Sequence, residues 1–165
     1  MKRVGFVTIL MLVLLVFTFS DSSAQIGFKG VGGRLGFVTA DGSQSGIIFG
    51  GHVNLGEIIP GLALVPNLDY WSDDIDYLSV NANVRYYFSS GGSVDLFALG
   101  GLGFVRVSVD LGPLGDASST EFGLNLGGGA EIPLSDNLKG VGMLIFNTEG
   151  SQIKIMGGVT YMLGQ

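Results

Sequence analysis

From Tyr77 to Phe88 every second residue is apolar: Leu78, Val80, Ala82, Val84, Tyr86 and Phe88 alternate with Tyr77, Ser79, Asn81, Asn83, Arg85 and Tyr87. A period of two puts the sets on opposite faces of a β-strand. Residues 121–132 repeat the design. Phe122, Leu124, Leu126, Gly128, Ala130 and Ile132 share one face, with Glu121, Asn125 and Glu131 among glycines on the other. Near the C-terminus, Ile153, Ile155, Gly157, Val159, Tyr161 and Leu163 oppose Gln152, Lys154, Met156, Gly158, Thr160 and Met162. Weaker alternation spans Gly27 to Val38, Ile47 to Leu55, Leu62 to Trp71, Val94 to Val109 and Leu138 to Asn147. None of these segments has the i, i+3, i+4 apolar spacing of a helix.

The segments are separated by turn formers: Ala40 to Ser43, Gly56 to Gly61, Ser72 to Asp76, Ser89 to Gly92, Leu111 to Ser119, Pro133 to Asn137 and Thr148 to Ser151. Gly, Pro, Asp, Asn and Ser favour the backbone angles of turns. Short links force successive strands to run antiparallel, so about eight strands form an up-and-down meander. Each segment has about the 9 to 11 residues a tilted strand needs to cross a bilayer.

Composition decides which face is wet. The chain is 47% hydrophobic and only 13% charged, whereas a solvent-facing surface usually carries ~25 to 35% charged residues. If Arg34, His52, Asn54, Asn67, Asp69, Asn81, Asn83, Arg85, Glu121, Asn125, Glu131 and Lys154 covered the outside, that outside would be poor in charge and rich in glycine. Placed inside a narrow barrel, they can pair with one another while the apolar face meets lipid. The expected fold is therefore all-β, an eight-stranded antiparallel up-and-down transmembrane β-barrel. With the N-terminal end of the barrel in the periplasm, Phe28, Tyr86, Phe88 and Tyr161 fall near one rim and Phe37, Tyr70 and Phe122 near the other. Aromatic rings gather at the two headgroup levels of such barrels.

Ahead of the barrel, Lys2 and Arg3 precede an apolar stretch from Val4 to Phe19 and the small residues Ser22 and Ala24. That is the three-part pattern of a signal peptide cleaved after Ala24. The expected organisation is residues 1–24 as signal peptide and 25–165 as one outer-membrane barrel domain. Cleavage removes two cations and Asp21, taking the formal charge from −6 to −7. Nucleic acid is not an expected partner of so acidic a chain. Past residue 24 no apolar run reaches the ~18 residues of a spanning helix. Without cysteine, the fold has neither disulfides nor thiolate metal sites.

The glycine-spaced strands Val31-Gly32-Gly33-Arg34-Leu35-Gly36-Phe37 and Leu99-Gly100-Gly101-Leu102-Gly103-Phe104 resemble those of the small eight-stranded outer-membrane barrels of the OmpA, OmpX and opacity-protein type. The resemblance is one of layout and covers essentially the whole chain after the signal peptide. It implies residence in the outer membrane of a Gram-negative-type cell envelope, and contact with lipopolysaccharide. It further implies that Gly158, Tyr161 and Leu163 form the signal read by the barrel-assembly machinery. Two departures from the family pattern are Met156, where a polar residue is usual, and the ending Gly164-Gln165 in place of an aromatic residue.

An eight-stranded lumen is just wide enough for side chains to fill. Arg34, His52, Asn54, Asp69, Arg85, Glu121, Asn125, Glu131 and Lys154 are the expected luminal network, and a general diffusion pore is not expected. The function that follows is that of a structural or interaction component of the outer membrane, acting as a monomer without cofactor or metal. A soluble periplasmic lipocalin-like barrel holding an apolar ligand is the alternative, with Leu78, Val80, Val84, Leu124, Leu126 and Val159 then facing inward. A lipid-modifying enzyme would need a histidine beside a serine or carboxylate near the outer leaflet. The one histidine, His52, falls in the lower half of the interior. Acidic residues gather in the expected outer loops, including Asp73, Asp74 and Asp76. These could meet Ca²⁺ or Mg²⁺ bridging lipopolysaccharide phosphates, but their spacing fits no known calcium loop and solvated loop tips are the simpler reading.

Overall fold

A computed structural model describes residues 26–40, 44–73, 75–88, 92–110 and 116–163. The signal-peptide segment, Asp74 and the Gly112 to Gly115 loop lie outside the described residues. The described chain folds as strands β1 (Gly30–Ala40), β2 (Gln44–Asn54), β3 (Glu57–Ile59), β4 (Leu62–Leu64), β5 (Asn67–Ser72), β6 (Asp76–Tyr87), β7 (Asp95–Asp110), β8 (Asp116–Ser135), β9 (Leu138–Asn147) and β10 (Gln152–Met162).

Every pairing is antiparallel, and the sheet closes on itself where β1 meets β10, from Gly30 opposite Met162 to Thr39 opposite Ile153. Two of the eight staves are broken. β3 continues β2, and β5 continues β4, with interruptions at Leu55-Gly56 and Val65-Pro66. Pro66 cannot donate to a ladder, yet its carbonyl accepts from the Val53 N–H at 3.0 Å, and Leu55 and Leu64 bridge the gap at 2.9 Å. At the tip of that hairpin Pro60 precedes Gly61, whose φ of 82° suits a turn that glycine alone adopts without strain.

The strands match the alternation except at β8. This strand runs for 20 residues, beginning before Glu121 and passing through Pro133, where its register with β9 shifts in a bulge. Bulges are where a proline fits within a sheet. The β7–β8 ladder extends to Asp110 opposite Asp116, whereas the β8–β9 ladder starts at Asn125 opposite Asn147. Residues 116–123 thus have no β9 neighbour among the described residues, and the hairpin stands above the rim.

Leu35, Phe37, Ile47, Leu126, Leu144 and Ile155 all point outward, Phe37 at 68% and Ile155 at 62% exposure, while Arg85 and Glu131 are 1% and 3% exposed. Leu78, Val80, Leu124, Leu126 and Val159 also face outward, which overturns the lipocalin-like alternative. The outward apolar surface ends in aromatic clusters. Tyr86 meets Phe88 edge-on at 5.4 Å at the end where β1 starts and β10 finishes, the terminal end of the barrel, with Phe28 and Tyr161 exposed there. Phe49 packs on Tyr70 at 5.3 Å and Phe104 on Phe122 at 5.6 Å toward the other.

The lumen as candidate functional site

Five luminal polar residues sit opposite glycine. In the ladders His52 faces Gly32, Asp69 faces Gly50, Asn81 faces Gly103, Asn83 faces Gly101 and Arg34 faces Gly158. A Cβ on any of these glycines would collide with the side chain or backbone across the ladder. The inward glycines are thus the space in which the polar groups lie.

Arg34 of β1 and Asp69 of β5 form the centre. Nη2 of Arg34 donates to both carboxylate oxygens at 2.6 Å and Nε donates to Oδ1 at 2.9 Å. Oδ2 also accepts from Asn67 at 2.9 Å and from Asn81 at 3.4 Å. From there a run of amides follows the inner wall from β5 through β6 and β8 to β9. Asn83 donates to Asn67 at 2.6 Å, Asn125 to Asn81 and Asn83 at 2.8 and 3.0 Å, and Asn147 to Asn125 at 2.6 Å. The run ends where the Asn147 carbonyl oxygen accepts the backbone N–H of Glu149 at 2.8 Å. Each amide both donates and accepts, so the asparagines of this run satisfy one another.

A second cluster lies nearer the terminal end. Nη1 of Arg85 meets Oε1 of Glu131 at 2.6 Å, and the guanidinium sits 4.8 Å from the centroid of the Phe97 ring. Lys139, one-third exposed, approaches Glu131 at 3.6 Å and Asp95 at 3.7 Å. Nε and Nη2 of Arg85 have no hydrogen-bond partner among the described residues.

His52 is buried, and its Nε2 shares a hydrogen bond of 2.7 Å with the Thr160 hydroxyl. Lys154 is buried with Met156 on the same face of β10.

Two residues expected in the network do not join it. Glu121 has the inward phase but sits on β8 above the start of the β9 ladder, where it is exposed and accepts from Ser119 at 3.4 Å. Asn54 is at the foot of β2, and its side chain accepts the Gly56 N–H at 2.8 Å, fixing the bend between β2 and β3. Asp73 and Asp76 are exposed at the outer rim, Asp76 accepting from the Tyr70 hydroxyl at 2.7 Å. Gly158 faces the lumen opposite Arg34, Tyr161 is exposed at the terminal-end rim, and the Leu163 N–H donates to Lys29 at 2.7 Å.

Other contributors were not anticipated. Asn147 lies on β9, where both faces are largely apolar and alternation is mute. Val38, Ile48, Trp71, Phe97, Leu99, Met143, Ile145 and Met156 form an apolar cluster inside the lumen. Trp71 stacks on Tyr77 there, with ring centroids 4.0 Å apart and planes 2° from parallel. Inward-facing polarity is therefore partial.

An antiparallel sheet closed on itself, greasy outside and ion-paired within, defines a transmembrane β-barrel. The family model for the outer membrane protein beta-barrel domain matches residues 9–144, and the chain belongs to that family and to the outer membrane. Among solved structures, Neisserial surface protein A superposes with a TM-score of 0.70 at 18% identity, over 82% of this chain and 96% of that one. The N-terminal barrel of Pseudomonas aeruginosa OprF gives 0.65 at 14%, over 83% and 99%. Ail of Yersinia pestis gives 0.56 at 14%, over 84% and 99%. No curated protein sequence matches the chain.

Proposed function

We propose that this barrel serves the outer membrane as a structural and interaction component whose lumen is shut by its own side chains. The observation that carries the reading is the unbroken run of hydrogen bonds from Arg34 to the backbone of Glu149, which fills the lumen along the inner wall from β1 through β5, β6 and β8 to β9. Opening such a run to pass solutes would strand several buried donors and acceptors at roughly 1 to 3 kcal/mol each. Proteoliposomes containing the refolded barrel should swell in isotonic arabinose no faster than protein-free vesicles. Porin-like swelling would refute the reading.

A catalytic role finds no support in the surroundings of His52, which is buried, bonded to Thr160 and set away from the outer rim. Lipid deacylation or palmitoyl transfer that His52→Ala abolished would overturn this. At the outer end, Asp73, Asp76 and Glu121 are exposed, and solvated carboxylates account for them. Calorimetric titration with Ca²⁺ or Mg²⁺ is expected to show no binding. The barrel meets lipopolysaccharide through its apolar belt and needs no nucleic acid, metal or cofactor. Gly158, Tyr161 and Leu163 are proposed as the signal to the barrel-assembly machinery, Tyr161 and Leu163 lying at the end of the closing strand. Sarkosyl fractionation with heated and unheated gels should show a single monomeric, heat-modifiable band in the outer-membrane fraction.

A further inference from the structure

Gly100 is a glycine that the fold does not require. A Cβ on the inward Gly101 or Gly103 would collide with Asn83 or Asn81, whereas a Cβ on Gly100 would meet nothing within 4 Å, and its φ is not positive. On the lipid-facing wall Gly100 lies between Val84 of β6 and Leu126 of β8, and the next outward row is Ala82, Leu102 and Leu124. The missing side chain leaves a groove of about 400 Å³ lined by these residues. Neighbouring strands run about 4.8 Å apart, so Val84 and Leu126 stand roughly 10 Å apart across the groove. One hydrocarbon chain enters such a gap, and a helix about 10 to 12 Å across does not. From Gly100 the same outward face of β7 climbs through Leu102 and Phe104 to Arg106. That climb, at about 3.3 Å per residue and a tilt near 45°, raises Arg106 roughly 14 Å, about half of the ~30 Å hydrocarbon core. The groove thus lies one leaflet below Arg106. Phe104 and Phe122 stand just beneath the arginine. Arg106 is exposed, donates to the Ser118 hydroxyl at 3.5 Å, faces Thr120 across the ladder and forms no ion pair among the described residues. Asp76 on the adjoining strand accepts from the Tyr70 hydroxyl.

We propose that this face holds one phosphorylated glycolipid of the outer leaflet, the lipid A part of lipopolysaccharide, with a phosphate on Arg106, sugar hydroxyls against Ser118 and Thr120, and one acyl chain in the groove beside Gly100. The inference rests on the reading that the apolar belt meets lipopolysaccharide and gives that contact an address. A guanidinium meets phosphate through a planar fork of donors. Hydroxyl side chains both donate and accept, as sugar hydroxyls do. Within hydrocarbon the hydrophobic effect offers no preference, so a chain gains by van der Waals contact with the groove's floor and two walls. Head and tail contacts lie on one strand face at the separation that a single leaflet sets, which is why the occupant is a lipid.

The refolded full-length barrel in detergent is titrated with lipid A and, separately, with phosphatidylglycerol, and bound lipid is counted by native mass spectrometry. One lipid A should be retained per barrel, and phosphatidylglycerol should be held more weakly. Arg106→Gln should weaken retention about tenfold or more. Gly100→Val fills the groove and should weaken retention to a similar degree while keeping the heat-modifiable gel shift. Gly142→Val, at another outward glycine with open space beyond it but outside the groove, should change neither. Unaltered retention in Arg106→Gln or in Gly100→Val would overturn the proposal. So would equal retention of phosphatidylglycerol, an equal loss in Gly142→Val, or a lipid-free dimer that Gly100→Val dissolves, which would give the groove to a second copy. Should Gly100→Val fail to fold, Arg106→Gln decides alone. Sarkosyl fractionation and vesicle swelling test the barrel itself, so they can succeed where lipid retention fails, and the two failures are told apart.

Discussion

The two ion pairs inside this barrel use the same chemistry under different conditions. Arg34 and Asp69 meet through a fork of short bonds, and the carboxylate is further held by two asparagines. Arg85 and Glu131 meet through one nitrogen and one oxygen, with a phenyl ring covering the guanidinium and Lys139 in reserve. The first pair is complete and has no substitute, so its loss exposes a bare charge. The second is incomplete but buffered. A buried pair is therefore weighed by what remains when one partner goes, and distance is a poor guide to it.

Asp69→Asn should be the most damaging change. It leaves Arg34 buried without an anion and should cost roughly 3 to 5 kcal/mol, read as a fall in the urea midpoint of barrel refolded in lipid vesicles. Arg85→Ala should cost less, about 1.5 to 3 kcal/mol, because Glu131 retains Lys139. It should lower the temperature at which the barrel loses its heat-modifiable gel shift. An effect equal to that of Asp69→Asn would erase the distinction between the pairs. Asn125→Ala cuts the amide run that leads away from the first pair and should cost about 1 to 3 kcal/mol. If the urea midpoint did not move, the run would be geometry without energy. Glu121→Gln should stay within about 0.5 kcal/mol of wild type, since the side chain has left the lumen. A larger loss on the same urea curve would return Glu121 to the network.

The strands and their phase were legible in the sequence because lipid imposes one rule on every outward position. Leu78, Val80, Leu124 and Leu126 obey it, so parity alone puts Asn83, Arg85 and Asn125 on the inward face. Parity carries no height. Glu121 has the right face but sits above the point where β9 joins β8, and only the ladder with Asn147 reveals that. Asn54 likewise has the right face at the wrong level, beside a bend that its own side chain caps. Inward apolar residues were hidden for a different reason. At Val38, Met143 and Ile145 the lumen accepts hydrocarbon as readily as lipid does, so alternation fades where both faces are greasy. The pairing of Arg34, His52, Asp69, Asn81 and Asn83 with glycines across the ladder is invisible along one strand and appears only once register is known.

The seam between β1 and β10 joins the two ends of the fold, Gly30 lying opposite Met162. Contacts so remote in the chain make for slow folding, because a large loop must close before they contribute anything. Until the last strand arrives, the first has a bare edge, and bare edges recruit other chains. Nascent copies of this protein must accordingly be kept apart and unfolded until the whole polypeptide reaches its bilayer, and a chain truncated before β10 should aggregate instead of inserting.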